Sequence, residues 1–193
     1  MNRTAAPQLY YATSLRLAAV PSAVGCSRMF VRQALRRWKV PDYVDVAELV
    51  VSELVTNAVK ATGITEPQPR WTAITAEHVV AVQLRITDRR LYVEVWDRST
   101  DAPVRKDPDD DTEGGRGLPL IEAMTEGWDV YRPAVGGKVV WAEMSLDEPP
   151  KPPPFPAMPI RVPNEIRPPG GRMERVATTA LMQRVLDGLR ELV

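Results

Sequence analysis

The residues that could do chemistry fall in two short stretches. In the first, residues 50–60, a carboxylate (Glu53) and a carboxamide (Asn57) stand four positions apart within an apolar, helix-like pattern. Side chains at positions i and i+4 lie one above the other on a helix, so both would point into the same space. A carboxylate beside a hard oxygen donor suits Mg²⁺ that also holds phosphate oxygens. The same spacing is common on the polar edge of an amphipathic helix, so it allows both interpretations.

The second stretch, residues 114–120, is rich in glycine. Gly114, Gly115 and Gly117 precede a short apolar segment with helical spacing. A glycine-rich turn that opens a helix can present backbone N–H groups and the helix dipole to an anion. Arg116 is the only basic residue here and no Gly-Lys-Ser/Thr follows, so this is not a Walker A loop. The pattern fits either a phosphate site or a flexible hinge.

A third candidate, Asp97, ends an alternating strand pattern. An aspartate at this position can cap the turn that follows the strand. It can equally act as a hydrogen-bond acceptor at the sheet edge, facing an amino group of a ligand. The spacing by itself does not distinguish these two roles.

The elements that would position these residues follow from periodicity. Alternation predicts strands and spacing of three to four predicts helices. We expect Asp42 to cap the long helix and Gly63 to end it. Helices clustered on one face of a mixed, mostly antiparallel sheet predict an α+β fold, a two-layer α/β sandwich. The predicted order is strand 10–17, helix 22–39, helix 42–62, strands 79–87 and 91–96, loop 98–113, helix 117–125, and strands 128–131 and 139–146.

Composition divides the chain into four parts. Residues 1–9 are expected to be a flexible N-terminus and residues 10–148 one domain. Residues 149–171 contain more than half of the 19 prolines, which predicts a stiff extended linker. Residues 172–193 return to helical periodicity with an apolar stripe, predicting an amphipathic helix. That helix could pack back on the sheet, form a homodimer, or dock on a partner helix.

Charge and cysteine content narrow the class of protein. The chain has 25 Lys+Arg and 25 Asp+Glu, so its formal net charge is zero. This balance gives no electrostatic reason to expect nucleic acid or an anionic membrane as a partner. With one cysteine an intramolecular disulfide is excluded. No signal peptide is recognisable, and no run approaches the ~18 apolar residues of a membrane span. We therefore expect a cytoplasmic protein.

Four motifs in order give a more specific indication. They are Glu53-Leu54-Val55-Thr56-Asn57-Ala58-Val59, Asp97-x-Ser99-x-x-x-Pro103, Gly114-Gly115-Arg116-Gly117-Leu118 and Gly137-Lys138-Val139-Val140-Trp141. Over residues 10–146 the chain resembles the ATP-binding domain of the gyrase, chaperone, histidine-kinase and mismatch-repair superfamily, which has the Bergerat fold. Within it, the chain is most similar to the small anti-sigma factor serine kinases and related single-domain ATP-binding regulators of actinobacteria.

The resemblance implies roles for individual residues. Asn57 would chelate the Mg²⁺ that bridges the phosphates of ATP, and Glu53 would be the general base for an attacking hydroxyl. Asp97 would accept a hydrogen bond from the adenine amino group. Gly115 and Gly117 would donate backbone N–H groups to the phosphates. Residues 104–113 would form a lid over ATP, and the remaining nucleotide-binding positions would be Lys60, Pro103, Arg116 and Leu118.

The resemblance also implies a function. We expect an ATP-dependent serine/threonine kinase acting on an anti-anti-sigma-type protein, with a sigma factor as a further partner. The alternative is a non-catalytic ATP-binding module that regulates a partner through nucleotide occupancy. One departure concerns the base site: relatives commonly carry a threonine after the lysine near the last strand, where this chain has Val139.

Overall fold

The computed structural model describes residues 9–103, 117–134 and 136–148. Apolar residues alternate along five segments and recur with helical spacing along three, and these become the strands and helices. In chain order they are β1 (Leu9–Ala18), α1 (Ser22–Arg37), α2 (Val44–Thr62), β2 (Val79–Thr87), β3 (Arg90–Asp97), α3 (Gly117–Met124), β4 (Gly127–Tyr131) and β5 (Lys138–Ser145), with 3-10 turns at Pro41–Tyr43 and Trp71–Ala73. Residues 1–8, 104–116, 135 and 149–193 lie outside the described residues. These include the predicted lid 104–113, the predicted linker 149–171, the predicted helix 172–193 and all but Leu9 of the predicted N-terminus 1–9.

The five strands form one sheet in the order β1-β2-β3-β5-β4. Every pair of neighbouring strands is antiparallel. The predicted α+β class with helices on one face is confirmed, although the described strands contain no parallel pair, so the sheet is not mixed. Leu9 already belongs to β1, one residue before the predicted domain boundary.

Alternation along the strands gives the sheet two different faces. The face toward the helices is apolar and joins α1, α2 and α3 in the main core. We call the opposite side the outer face; on β2 and β3 it carries Arg85, Tyr92, Glu94 and Trp96. The core residues of the helix-side face on these two strands are Val80, Val82, Leu84, Ile86, Leu91, Val93 and Val95.

Helix α2 provides the largest helical contribution to the core. Its buried positions follow the three-to-four spacing predicted from the sequence, and each fully buried Val or Leu side chain contributes about 1.5–3 kcal/mol. They are Val44, Ala47, Val50, Val51, Leu54, Val55, Ala58 and Val59.

The start of α2 corrects one prediction. Asp42 does not cap the helix: it lies inside the 3-10 turn Pro41–Tyr43, and the N-cap is Tyr43, without a side-chain cap hydrogen bond. Pro41 is compatible with the first position of a helical turn because its φ is fixed and it needs no N–H partner. The chain is therefore already helical at Asp42, and its carboxylate is not placed as an N-cap.

The end of α2 is fixed by a close approach of two backbones. Gly63 is the C-cap, as predicted, but its φ of −101° is not left-handed. A Cβ at Gly63 would lie 2.2 Å from the carbonyl oxygen of Ala19 and 2.8 Å from that of Val59. Ile64 N–H donates to the same Ala19 oxygen at 2.9 Å. Glycine is needed here so that α2 can end against the segment that follows β1.

None of the helices in the described ranges combines the length and the apolar character needed to cross a membrane.

Replacing Gly63 by alanine should therefore strain this junction. We expect the free energy of unfolding to fall by about 1–3 kcal/mol, the usual cost of overpacking a closely packed site. Gly25→Ala is the matched control, because Gly25 lies inside α1 and a Cβ there meets nothing within 4 Å. That control should gain about 0.5–1 kcal/mol from helix propensity. Urea unfolding of both variants measures this, and a Gly63→Ala protein as stable as wild type would contradict the packing argument.

Candidate functional site

Glu53 and Asn57 lie along the edge of α2 where its buried stripe meets solvent. Both side chains are half-buried, and Leu54 and Ala58, the residues that follow each of them, are buried in the core. No described residue forms a side-chain hydrogen bond or ion pair with Glu53 or Asn57. A rigid, core-packed helix thus holds a carboxylate and an amide on one edge with their polar atoms available to a ligand.

Gly117, the first residue of α3, lies directly against Glu53. A Cβ at Gly117 would be 2.3 Å from Oε2 of Glu53 and 3.3 Å from its Cβ. A side chain at Gly117 would force the end of the Glu53 side chain to move and would crowd its Cβ, so glycine favours this close approach of the two helices. The structure therefore brings the two chemically suggestive stretches together, with the Glu53 carboxylate at the N-terminal end of α3. Gly115 and Arg116 lie outside the described residues.

The start of α3 is held in place by its apolar side chains. Leu118 and Ile121 are 3% and 1% exposed and belong to the main core. Because the Leu118 side chain is committed to the core, any contact of this residue with a nucleotide would have to come from its backbone. The anchoring by these two residues fixes the first turn of α3 relative to α2.

Asp97 lies at the end of β3, on the face of the sheet that carries the helices. It is 2% exposed. Its Oδ1 accepts a hydrogen bond from Lys138 Nζ at 2.8 Å and another from Ser99 N–H at 2.8 Å. Lys138 is the register partner of Asp97 across β3 and β5, and its side chain is 6% exposed. Lys138 is not among the site residues predicted from the sequence, although it lies in one of the four motifs.

The protonation of Asp97 reflects opposing influences. Burial raises the pKa of the Asp97 carboxyl above its usual range, while the Lys138 ammonium and the Ser99 N–H each lower it. No described residue donates a hydrogen bond to the other carboxylate oxygen, Oδ2. The Asp97 carboxylate is thus fixed through Oδ1, while its second oxygen, Oδ2, can accept a hydrogen bond from the amino group of a base.

The turn before β5 brings Lys138 to this position. Gly137 has a left-handed φ of +75°, and a Cβ there would lie 2.3 Å from the Asp97 carbonyl oxygen. The indole N–H of Trp96 donates to the Gly136 carbonyl oxygen at 3.2 Å. These contacts hold the start of β5 against the end of β3.

Val139 does not lie at the base site, contrary to the expectation from related sequences. Successive residues of a strand point to opposite faces. Lys138 shares the helix-side face with Asp97, so Val139 lies on the outer face, where it is 1% exposed and packs with Trp96. The residue of β5 that contacts Asp97 is Lys138.

The remaining predicted residues lie at the border of this region. Lys60 is exposed near the end of α2, and Pro103 is half-buried at the last described position after β3. Among the described residues no group of three or more His, Cys, Asp or Glu could hold a metal ion. Mg²⁺ in proteins usually keeps several waters and is held by one or two protein oxygens together with phosphates. Asn57 has the oxygen donor that such an ion needs.

Replacing Lys138 by methionine should leave the Asp97 carboxylate buried without its partner. At neutral pH we expect the free energy of unfolding to fall by about 3–5 kcal/mol. Loss of the ammonium raises the pKa of Asp97 further. A raised pKa gives stability that is present in acid and lost as the pH rises through that pKa, so the variant should be closest to wild type in acid. Urea unfolding across the acid-to-neutral range measures this.

The matched control is the double variant Lys138→Met with Asp97→Asn, which removes both charges. It should regain part of the lost stability and should lack most of the pH dependence that Lys138→Met introduces, because the titrating carboxyl of Asp97 is gone. If the single variant is as stable as wild type at neutral pH, the ion pair does not contribute as described.

Comparison with known protein families agrees with this geometry. The sequence model described as a histidine kinase-like ATPase domain matches residues 17–144, from within β1 to within β5. The comparison with curated proteins gave no match. The matched range contains Glu53, Asn57, Asp97, Gly117 and Lys138. The chain therefore belongs to the histidine kinase-like ATPase domain family, and residues 17–144 form its ATP-binding domain.

Proposed function

We propose that this protein is an ATP-dependent serine/threonine kinase of the anti-sigma regulator type. Its substrate is a serine or threonine on a small anti-anti-sigma-like protein, and a sigma factor is its further partner. The contact of the Glu53 carboxylate with the first residue of α3 carries the proposal. It supports a site in which a base stands beside a helix N-terminus suited to phosphate.

Each residue has a part in this reaction. The Oδ2 atom of Asp97 accepts a hydrogen bond from the adenine amino group and orients the base. The amide oxygen of Asn57 would hold Mg²⁺, and the ion would supply the positive charge that neutralises the phosphates. The Glu53 carboxylate takes the proton from the attacking hydroxyl as the oxygen–phosphorus bond forms, and ADP leaves. Glu53 then releases the proton to solvent.

The fold supplies what phosphoryl transfer needs most, which is positioning. Glu53 and Asn57 lie on α2, whose other face is fully committed to the core. Asp97 is held by Lys138 and by the backbone of Ser99. Sites built on rigid elements keep their geometry better than sites on loops, so these three groups are held in place before a nucleotide binds.

A second candidate function is a non-catalytic module that binds ATP and regulates a partner through occupancy. The same contact of Glu53 with Gly117 favours the regulatory module, because the carboxylate then has a purely structural role, which is to hold α3 in place. In that case Glu53 lines the nucleotide site without taking a proton. The two functions differ in what happens when the charge of Glu53 is removed.

Glu53→Gln tests the kinase function because it keeps the shape of the side chain and removes the base. We expect magnesium-ATP affinity to stay near the wild-type value and phosphate transfer to fall by about a hundred-fold to ten-thousand-fold. Transfer of radiolabelled phosphate from ATP to a small regulator encoded nearby measures the kinase activity. Calorimetry measures the affinity for magnesium-ATP. Glu48→Gln, on the same helix but bonded to Arg32, is the control and should transfer phosphate normally. Binding without transfer in the wild type would support the regulatory module.

Asn57→Ala tests the nucleotide site itself. Loss of the amide oxygen removes a ligand of Mg²⁺, so magnesium-ATP affinity should weaken by about ten-fold to a hundred-fold, as expected for a hydrogen bond or ligand to a charged group. Thr56→Ala is the control, since Thr56 precedes Asn57 on α2 and points in another direction. Calorimetry measures both. Unchanged affinity in Asn57→Ala would remove this residue from the site whatever the outcome of the Glu53 experiment.

A further inference from the structure

The central part of the outer face, on β2 and β3, is buried although every described helix with a place in the core packs on the opposite face. Tyr92, Glu94 and Trp96 are 5%, 4% and 7% exposed, and Arg85 on the neighbouring strand is 6% exposed. The core cluster that contains helix residues includes none of these four. A sheet face in contact with water on one side normally carries exposed polar side chains.

A buried ion pair lies near the centre of this face. Arg85 donates to both carboxylate oxygens of Glu94, with Nε to Oε2 at 3.0 Å, and Gln83 Nε2 donates to Oε2 at 2.7 Å. The side chains of Arg85 and Glu94 are only 8% and 5% exposed. Surface ion pairs are normally well hydrated, so burial of this pair calls for a cover over the face.

Aromatic and apolar side chains surround the ion pair. The Arg85 guanidinium lies 5.3 Å from the centre of the Tyr92 ring, and the ring of Trp141 lies 6.0 Å from that of Tyr92. Burial raises the pKa of Tyr92. Beside them is a second apolar cluster with Tyr131 at its edge, made of Val79, Ala81, Trp96 and Val139. The face therefore suits an amphipathic partner with an apolar stripe and polar flanks.

We propose that residues 172–193 of the same chain cover the outer face. Their sequence has apolar residues at helical spacing, namely Met173, Val176, Ala180, Leu181, Val185, Leu189 and Leu192. A helix of this length spans about 33 Å. Five strands at a spacing of about 4.8 Å make a face about 24 Å wide. The segment is thus long enough to cross the whole sheet.

The end of the described chain is compatible with this placement. Leu146 N–H donates to the Arg89 carbonyl oxygen at 2.7 Å, and Asp147 N–H donates to the Tyr43 hydroxyl at 2.7 Å. The chain therefore leaves the domain beside the β2–β3 turn. Residues 149–171 extended at about 3.1 Å per residue can span more than the sheet width before residue 172.

Charge is complementary as well. Residues 149–193 contain seven basic and four acidic side chains, while the whole chain contains 25 of each. Residues 1–148 therefore have 18 basic and 21 acidic side chains. Residues 149–193 have a net charge of +3 and residues 1–148 of −3, which favours association of the two. Residues 172–193 by themselves have four basic and three acidic side chains, a net charge of +1.

The other segments outside the described residues are less suited to this role. Residues 104–116 join Pro103 to Gly117, and Gly117 contacts Glu53 on the helix side. Residues 1–8 contain one large apolar side chain, Met1, so they cannot bury an aromatic face. The apolar stripe of residues 172–193 is the one that matches the area to be covered.

Paramagnetic labelling of the full chain tests the proposal. Cys26, the one cysteine of the chain, is exposed on α1, on the helix side, so a nitroxide there is the control. The test protein carries Cys26→Ser and Ser14→Cys, because Ser14 is exposed on the outer face opposite Gln83. We expect the NMR signals of residues 172–193 to lose most of their intensity with the label at position 14 and to keep it with the label on Cys26.

Two results would overturn the proposal. If the label at position 14 leaves the signals of residues 172–193 unchanged, the segment does not lie on this face. The other result is a loss of the signals of residues 172–193 only in a mixture, in which one protein carries the isotopes and a separate protein carries the spin label. A second copy would then cover the face instead of the same chain. Loss in the dilute, singly labelled sample alone supports coverage by the same chain.

A pair of substitutions within residues 172–193 gives an independent readout. Val185→Asp places a charge in the apolar stripe, whereas Gln183→Asp places it on the polar side of the same helical pattern. Val185→Asp should restore the signals lost to the label at position 14 and increase quenching of tryptophan fluorescence by acrylamide, because Trp141 becomes exposed. Gln183→Asp should do neither. Equal behaviour of the two variants would contradict a docked apolar stripe.

Discussion

The packing of α2 onto the helix-side face of the sheet is the contact on which the rest of the structure depends. Eight of its side chains are buried, and they meet the apolar residues of β2 and β3 in one core. Both ends of the helix are tied to the strands or turns around it. Tyr43 reaches Asp147 after β5, and Gly63 closes on Ala19 after β1. The orientation of α2 therefore determines where Glu53 and Asn57 lie relative to the sheet.

The side chains of the candidate site are held in two different ways. Glu53 and Asn57 are half-exposed groups on a buried scaffold, and their polar atoms have no partner among the described residues. Asp97 is the opposite case, a buried carboxylate whose position is set by Lys138 and Ser99. The polar atoms of Glu53 and Asn57 thus have no described partner, whereas the Asp97 carboxylate is fixed by two hydrogen bonds. Family membership supports ATP binding by this domain.

Much of the fold could be predicted because its signals are local. Alternation located the strands within one or two residues, and the helical spacing of apolar residues located the helices. The cap of α2 could not be predicted from Asp42 alone, because the 3-10 turn at Pro41–Tyr43 has the same composition as a helix start. The i, i+4 spacing of Glu53 and Asn57 was sufficient to place both on one edge of α2.

Other features depend on register between distant strands, which a single sequence does not specify. The pairing of Asp97 with Lys138 requires knowing that the last residue of β3 faces the first residue of β5. The same register moves Val139 to the outer face. The burial of Arg85 and Glu94 had no local signal either, because a polar pair on an alternating hairpin usually indicates a face in water.

The Asp97–Lys138 pair constrains how this chain can change over time. Substituting either residue alone leaves one charge buried without a partner, which costs more than most single substitutions. A variant that no longer needs a nucleotide would gain nothing by losing Asp97 unless Lys138 changed with it. Loss of ligand binding is thus more accessible through Asn57, whose side chain has no structural partner among the described residues. In such a lineage Asp97 and Lys138 would be retained after nucleotide binding had been lost.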